Sequence, residues 1–218
     1  MNDEKDANVE QTVNKEPVTL SDIMRARFKG IVEPIAGFLN NIGLQPNVVT
    51  LFGLFGTVIG SVFLAAGQIT LGGIIILFMA PIDALDGAMA RLRGQPSSFG
   101  AFVDSVTDRY SELFIFGGLL FYYLQQQDWL GASLTYLAAA GSILVSYIRA
   151  RAQSVGFETK IGLFSRFERL VVLIPCLIIN QPWIAVGAIA LLANITALQR
   201  ILHVRRQAYA RMSPRAKK

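Results

Sequence analysis

Long apolar segments alternate with short polar ones along most of the chain. Six of them have about the length that crosses a membrane: residues 47–66, 70–92, 100–126, 129–152, 167–180 and 182–204. About 20 apolar residues in a helix span the ~30 Å hydrocarbon core of a bilayer. The pattern therefore predicts an all-α polytopic membrane protein with six transmembrane helices. The weakest of these is 167–180, which is short and contains Pro175.

A different periodicity precedes the first predicted span. Between residues 19 and 43, apolar side chains recur at helical spacing and basic residues lie among them. The apolar positions are Leu20, Met24, Phe28, Ile31, Ile35, Phe38 and Ile42. The pattern predicts an amphipathic juxtamembrane helix that is kinked at Pro34 and ends at Gly43. Such a helix either lies in the membrane interface or packs against the protein's other helices.

The two ends of the chain are polar. Residues 1–18 mix acidic and basic side chains with few large apolar ones, which predicts a disordered cytoplasmic tail. Residues 207–218 form a basic cytoplasmic tail that we expect to contact anionic lipid headgroups. Between the juxtamembrane helix and this basic tail, residues 44–206 form the predicted six-helix domain.

Composition and charge agree with a membrane protein and predict its topology. Of the 218 residues, 53% are hydrophobic and 16% are charged. Average soluble domains carry about 25% charged residues, so an ordinary water-soluble protein is excluded. The net charge is +5, but the predicted turns at 67–69, 125–128 and 180–181 contain no Lys or Arg. The cations therefore fall on one side of the bilayer, which predicts a multi-pass cell-membrane protein with both termini cytoplasmic and no nucleic-acid partner.

Four aspartates stand where acids exposed to lipid would be costly. Asp83 and Asp86 lie near the end of the second predicted span, and Asp104 and Asp108 lie near the start of the third. Spacings of three and four residues place each pair on one helix face, and the short link makes the two helices neighbours. Four converging carboxylates repel one another and require a cation. Oxygen ligands select a hard ion such as Mg²⁺, and two divalent ions would balance the charge.

Two other interpretations of these acids remain open. They can be solvated helix ends paired with Arg91 and Arg109, or they can mark an ion pathway, as in a small cation transporter. Gly87 and Gly100 favour a binding site, because glycine in a helix costs about 1 kcal/mol relative to alanine and the close approach of a ligand would explain it. The clustering of the acids toward the cytoplasmic half also argues against a path through the membrane.

The residues from 83 to 108 resemble a family signature. The pattern Asp83-x2-Asp86-Gly87-x2-Ala90-Arg91-x8-Gly100-x3-Asp104-x3-Asp108 matches, position for position, that of the CDP-alcohol phosphotransferases, integral membrane enzymes of phospholipid synthesis. With the six-span layout, the resemblance covers roughly residues 20–206. It implies a homodimer in which an alcohol attacks the β-phosphate of a CDP-lipid such as CDP-diacylglycerol, and CMP leaves.

The resemblance also implies roles for single residues. Asp83, Asp86 and Asp104 would hold two Mg²⁺ ions per active site, with Mn²⁺ as the alternative metal, while Asp108 ligates one ion and acts as general base. The residues that match the family's CDP-lipid-binding positions are Asn47, Val48, Val49, Thr50, Gly87, Arg91 and Ser97. Without the family, Asn47 and Thr50 are also an ordinary helix start.

Basic residues at the depth of the aspartates bear on the acceptor alcohol. Arg149 ends the fourth predicted span, Arg166 and Arg169 begin the fifth, and Arg200 lies near the end of the sixth. Arginine binds phosphate through two parallel hydrogen bonds, which favours an anionic acceptor. The segments around these residues resemble those of prokaryotic phosphatidylinositol-phosphate synthases. This implies inositol 1-phosphate held by Arg149, Arg200 and either Arg166 or Arg169; glycerol 3-phosphate, used by phosphatidylglycerol-phosphate synthases, is the alternative.

Overall fold

The computed structural model describes residues 20–94, 97–159, 161–162 and 164–212, without the side chains of 20–26, Asp83 and Met212. The predicted acidic tail, 1–18, lies outside these residues. Eight helices and no strand are found in the described ranges. They are α1 (Leu20–Asn41), α2 (Pro46–Ala65), α3 (Ile69–Met79), α4 (Ile82–Leu92), α5 (Ser98–Gln125), α6 (Trp129–Ser154), α7 (Arg166–Ile178) and α8 (Pro182–Met212).

Length and hydropathy identify four candidate membrane spans within the described residues. They are Pro46–Ala65, Ile69–Leu92, Trp129–Ser154 and Pro182–Arg211. The predicted all-α fold is therefore confirmed, and four segments are long and apolar enough to cross a membrane. Of the other two predicted spans, α5 has 28 residues but carries four acidic or basic side chains between residues 104 and 112. The 13 residues of α7 extend only about 20 Å at 1.5 Å per residue, which is less than the hydrocarbon thickness.

The second predicted span, 70–92, is not one regular helix. α3 ends at Met79 and α4 begins at Ile82, with a turn at Ala80 and Pro81 between them. Proline has no backbone N–H to continue the helical hydrogen bonds, so the break occurs where the sequence places Pro81. The acid-bearing segment is thus a separate short helix that starts directly after the turn.

The core forms where glycines let three helices approach closely. α2 packs along α5 and against α3 and α4. A Cβ added at Gly72 would lie 2.8 Å from the carbonyl oxygen of Gly60, and one added at Gly118 would overlap the carbonyl oxygen of Ser61. Small residues at such contacts are typical of helix packing in membranes. The second half of the bundle is the pair α6 and α8, and α7 packs against α3 and α8.

α1 packs on α4 along one side and leaves an apolar face uncovered. Ala36 is fully buried, and Arg93 donates from Nε to Asn40 Oδ1 at 2.7 Å and from a terminal nitrogen to the carbonyl of Leu44 at 2.5 Å. α1 ends at Asn41, and Gly43, where the sequence predicts the end, follows with φ +85°. The exposed apolar face consists of Phe28, Ile31, Ile35 and Phe38 of α1 and of Ile42 just after it.

The two ends of the bundle differ in chemistry. At one end, tight turns bearing no cation join α2 to α3, α5 to α6 and α7 to α8, and Gln125 donates to the carbonyl of Ala65 at 2.8 Å. At the other end lie the arginines of α4, α6, α7 and α8. α8 continues on this side to Met212, so the first part of the predicted basic tail, 207–212, is helical.

Candidate active site

Asp86 of α4 lies beside the start of α2. Asp86 is buried, with 5% of its surface exposed, and its Oδ2 accepts a short hydrogen bond from the hydroxyl of buried Thr50. The same hydroxyl lies 3.1 Å from the carbonyl oxygen of Pro46. Proline at the start of α2 needs no N–H partner, so it begins the helix where Thr50 faces α4. Two residues predicted for different roles, Thr50 and Asp86, are thus in contact.

Asp108 is brought together with an arginine of α7. A terminal nitrogen of Arg166 lies 2.5 Å from Asp108 Oδ1, and a terminal nitrogen of Arg109 lies 3.9 Å from Oδ2. The predicted candidate base and a predicted acceptor-binding cation therefore form a direct salt bridge. Arg109 also donates to the carbonyl of Ser105 in its own helix. Asp104, one turn before Asp108, is half-buried on α5.

The donor set at this end is suited to a hard divalent cation. Asp86, Asp104 and Asp108 offer carboxylate oxygens, which Mg²⁺ and Mn²⁺ prefer. Asp108 already has a cationic partner, the guanidinium of Arg166. Among the described side chains no group of three potential ligands is close enough together to hold a metal, and Asp83 is outside that set.

Residues of the predicted nucleotide site meet where α2 and α5 begin. Ser97 caps α5 by accepting from the backbone N–H of Gly100 at 2.9 Å. A Cβ added at Gly100 would lie 3.0 Å from Ser97 Oγ and 3.6 Å from Asn47 Oδ1, so these two polar side chains flank the glycine. On α4, a Cβ at Gly87 would lie 3.4 Å from a terminal nitrogen of Arg91.

The other two residues of the α2 segment have different environments. Val49 is buried in the small core formed with α1 and α4, whereas Val48 is about half exposed. A packing role accounts for Val49. Thr50 and Asn47 are the side chains of this segment that present polar atoms to the neighbouring helices.

The four predicted acceptor arginines occupy different environments. Arg200 is buried, and its guanidinium donates to the backbone carbonyls of Ile161 at 2.9 Å and Val145 at 2.6 Å. Arg149 is exposed and lies near enough to Arg200 for their charges to interact.

Arg166 and Arg169, between which the sequence leaves the choice open, have different environments. Arg166 is about a quarter exposed beside Asp108, whereas Arg169 is 2% exposed and bonded to Glu112. Glu112 was not predicted as a site residue. A signal for it was present: Asp108 and Glu112 are four apart on α5, Arg166 and Arg169 are three apart on α7, and such spacings present matching charges on two facing helices.

Comparisons with known proteins extend over most of the chain. A family model described as CDP-alcohol phosphatidyltransferase matches residues 44–202. The archaetidylinositol phosphate synthase of Pyrococcus horikoshii is 37% identical over 186 residues, which are 84% of this chain and 96% of that protein. The crystal structure of Mycobacterium tuberculosis phosphatidylinositol phosphate synthase with CDP-DAG bound matches with a TM-score of 0.76 and 32% identity, covering 80% of this chain and 93% of that one.

A second structure of the mycobacterial protein, in complex with manganese and citrate, also matches with a TM-score of 0.76. Its sequence identity is 31%, and the match covers 80% of this chain and 88% of that one. A protein of similar fold thus forms a complex with a divalent metal.

Proposed function

The chain belongs to the CDP-alcohol phosphatidyltransferase family, and from this premise we propose that it transfers the phosphatidyl group of CDP-diacylglycerol to inositol 1-phosphate, giving phosphatidylinositol phosphate and CMP. The relatives named above support the acceptor, since those proteins are named for inositol phosphate products. The observation that carries the proposal is the salt bridge of 2.5 Å between Asp108 and Arg166. It places Asp108, the candidate general base for the acceptor hydroxyl, next to Arg166, a cation that can bind the acceptor's phosphate.

The aspartates are proposed as the metal ligands of this reaction. Asp83, Asp86, Asp104 and Asp108 would hold two Mg²⁺ ions, which Mn²⁺ can replace, and these ions would supply charge stabilisation to the diphosphate. Thr50 orients Asp86 by hydrogen bonding to its Oδ2. Hydrogen bonds of this kind to a ligating carboxylate commonly tune metal affinity.

The nucleotide is proposed to bind where α2, α4 and α5 begin or end near one another. Asn47 and Ser97 flank Gly100 with polar atoms, and the absence of a side chain at Gly100 leaves room beside them. Arg91 lies over Gly87 and is exposed, so its guanidinium is available to the diphosphate. Val48 and Val49 would contribute through their backbone and packing.

Asp108 is proposed to remove the proton of the acceptor hydroxyl. A carboxylate within hydrogen-bond reach of the attacking oxygen serves as general base, and the contact with Arg166 fixes its direction. Arg166 and Arg200, with Arg149 close by, supply the positive charge for the acceptor's phosphate. Arg169 is 2% exposed and bonds within the protein through all three guanidinium nitrogens, so we assign that arginine a different role below.

The topology follows from the same arrangement. We propose six membrane crossings, with α5 crossing between α3/α4 and α6, and with the short α7 crossing where the protein surrounds it. The arginine-bearing end faces the cytoplasm, so both termini are cytoplasmic and the polar acceptor enters from water. The uncovered face of α1 lies in the membrane interface. We further propose a homodimer in the cell membrane.

CMP release by the purified protein tests the acceptor. Inositol 1-phosphate, glycerol 3-phosphate, free inositol and serine are compared with CDP-diacylglycerol and Mg²⁺, and an ether-linked CDP-lipid is compared in parallel. We expect release with inositol 1-phosphate. Release with glycerol 3-phosphate alone would contradict the proposed acceptor and retain the enzyme class.

A matched pair of variants tests the base. Asp108→Asn should abolish CMP release while the protein remains folded, because the amide cannot accept the hydroxyl proton. Asp128→Asn is the control: Asp128 caps α6 at the opposite end, where asparagine caps equally well. Normal turnover by Asp108→Asn would exclude Asp108 as the base.

A further inference from the structure

A second ion pair joins α5 to α7 one turn beyond the pair at the candidate active site. Glu112 Oε1 accepts from Arg169 Nε at 2.9 Å and from one of its terminal nitrogens at 2.6 Å. The other terminal nitrogen donates to the carbonyl of Phe164 at 3.2 Å. The side chains of Glu112 and Arg169 are 5% and 2% exposed. Every nitrogen of this guanidinium is therefore engaged inside the protein.

Stability alone does not explain a pair of this kind. Removing two charges from water costs several kcal/mol per ion, and apolar residues of similar volume often do as well or better. Where such a pair has a use, fixing one specific arrangement is the best-attested one. The backbone of α7 packs mainly against α3 and α8 and to a smaller extent against α1, so side-chain pairs are needed to fix its position relative to α5.

We propose that the Glu112–Arg169 pair sets the position of α7 along α5 and thereby places Arg166 at Asp108. The two residues are positioning residues for the transfer reaction, an inference that rests on the proposed function. The same two helices carry both pairs, so a fixed inner pair determines where the outer pair can form.

The geometry sets the scale of the effect. A shift of one residue along a helix moves a side chain by 1.5 Å and turns it by about 100°. A terminal nitrogen of Arg166 lies 2.5 Å from Asp108 Oδ1, and a shift of one residue would separate these two atoms. A misplacement of about 1 Å in an active site can cost about 10²-fold in rate.

Paired substitutions separate positioning from stability. Glu112→Gln and Arg169→Met each leave one buried charge unpaired, and we expect both to lower the unfolding temperature and the turnover. The double variant Glu112→Leu with Arg169→Met removes both charges and should regain the unfolding temperature of the original protein. Its kcat/KM for the acceptor should stay about 10- to 100-fold low, with the KM for CDP-diacylglycerol unchanged.

Two further variants keep this test decisive. Lys29→Gln with Glu33→Gln removes an exposed ion pair of α1 and should change neither quantity. If the apolar double variant does not fold, Glu112→Asp retains the charge and shortens the reach by one carbon, and it should fold with reduced turnover. Unchanged acceptor kinetics in a folded variant of either kind would overturn the proposal.

A measurement independent of activity distinguishes this inference from the proposed function. Spin labels on the exposed residues Leu113 of α5 and Val171 of α7, each changed to Cys in a Cys176→Ala background, report the distance between the helices. The apolar double variant should broaden or shift that distance, and an unchanged distance would refute the positioning role. An original protein that is inactive with every acceptor would instead refute the proposed function.

Discussion

The hydroxyl of Thr50 provides a sharp test of how the metal ligands are held. It is buried and donates to Asp86 Oδ2, so it holds the Asp86 carboxylate in one orientation. Thr50→Val keeps the branched shape and removes only the hydrogen-bond donor. Because Thr50 does not itself offer a ligand atom to our proposed metal site, the substitution changes the orientation of Asp86 and leaves the four aspartates in place.

The expected loss of metal affinity follows from the negative charge of Asp86, which accepts the hydrogen bond from Thr50. A hydrogen bond to a charged group contributes about 1.5–3 kcal/mol. Since about 1.4 kcal/mol corresponds to a factor of ten, the full effect is about 10- to 150-fold. Loss of a group that orients a metal ligand commonly costs 10- to 100-fold in metal affinity or activity. We therefore expect the Mg²⁺ concentration for half-maximal CMP release to rise about 10- to 100-fold in Thr50→Val.

The assay is an Mg²⁺ titration of the initial rate at saturating substrates, with two control variants. Thr50→Ser keeps the hydroxyl and should remain close to the original protein. Thr57→Val makes the same chemical change two turns further along α2, where the hydroxyl donates to Gly53 of its own helix, and should leave the titration unchanged. A Thr50→Val titration that superimposes on that of the original protein would refute the reasoning.

Three further predictions concern packing, the acceptor and the metal. Gly118→Ala should lower the unfolding temperature in detergent, because the new methyl group would overlap the Ser61 carbonyl, whereas Gly117→Ala, with open space beside it, should preserve or raise it. Arg200→Lys should raise the acceptor KM at least about tenfold without changing the KM for the CDP-lipid, since lysine lacks the planar fork of arginine. The control is Arg151→Lys at an exposed position, and an equal rise of the acceptor KM in both variants would remove Arg200 from the pocket. EDTA should abolish CMP release, and excess Mg²⁺ or Mn²⁺ should restore it; metal-independent release would contradict the metal site.

Much of the helical layout was predictable because apolar length and turn residues act locally. Gly43 ends α1 as its spacing predicts, and Pro81 interrupts the second predicted span because it lacks an N–H. The interruption could have been predicted from Pro81 alone. An uninterrupted apolar run masked it, since hydropathy does not register backbone hydrogen bonding.

The site divides in the same way between local and long-range information. The spacing of the aspartates along each helix predicts which of them share a face, and family resemblance extends that prediction to their roles. Arg166 pairs with Asp108, and Arg169 pairs with Glu112. The members of each pair are more than 50 residues apart in the sequence, so both pairs depend on where α7 lies relative to α5. The periodicity of each helix does not indicate how two helices lie relative to one another. Complementary charge spacing on two helices limits the choices but does not select one.

The glycine contacts among α2, α3 and α5 have a consequence for how this protein tolerates mutation. Gly72 faces the Gly60 carbonyl at a separation that leaves no room for a methyl group, and Gly118 faces Ser61 in the same way. Larger side chains are thus excluded at these glycine contacts in the interior of the bundle. Exposed apolar positions on the candidate spans, such as Phe55, should accept other apolar side chains of similar size. New acceptor preferences would therefore arise at the helix ends, where the scaffold can change its chemistry without changing its shape.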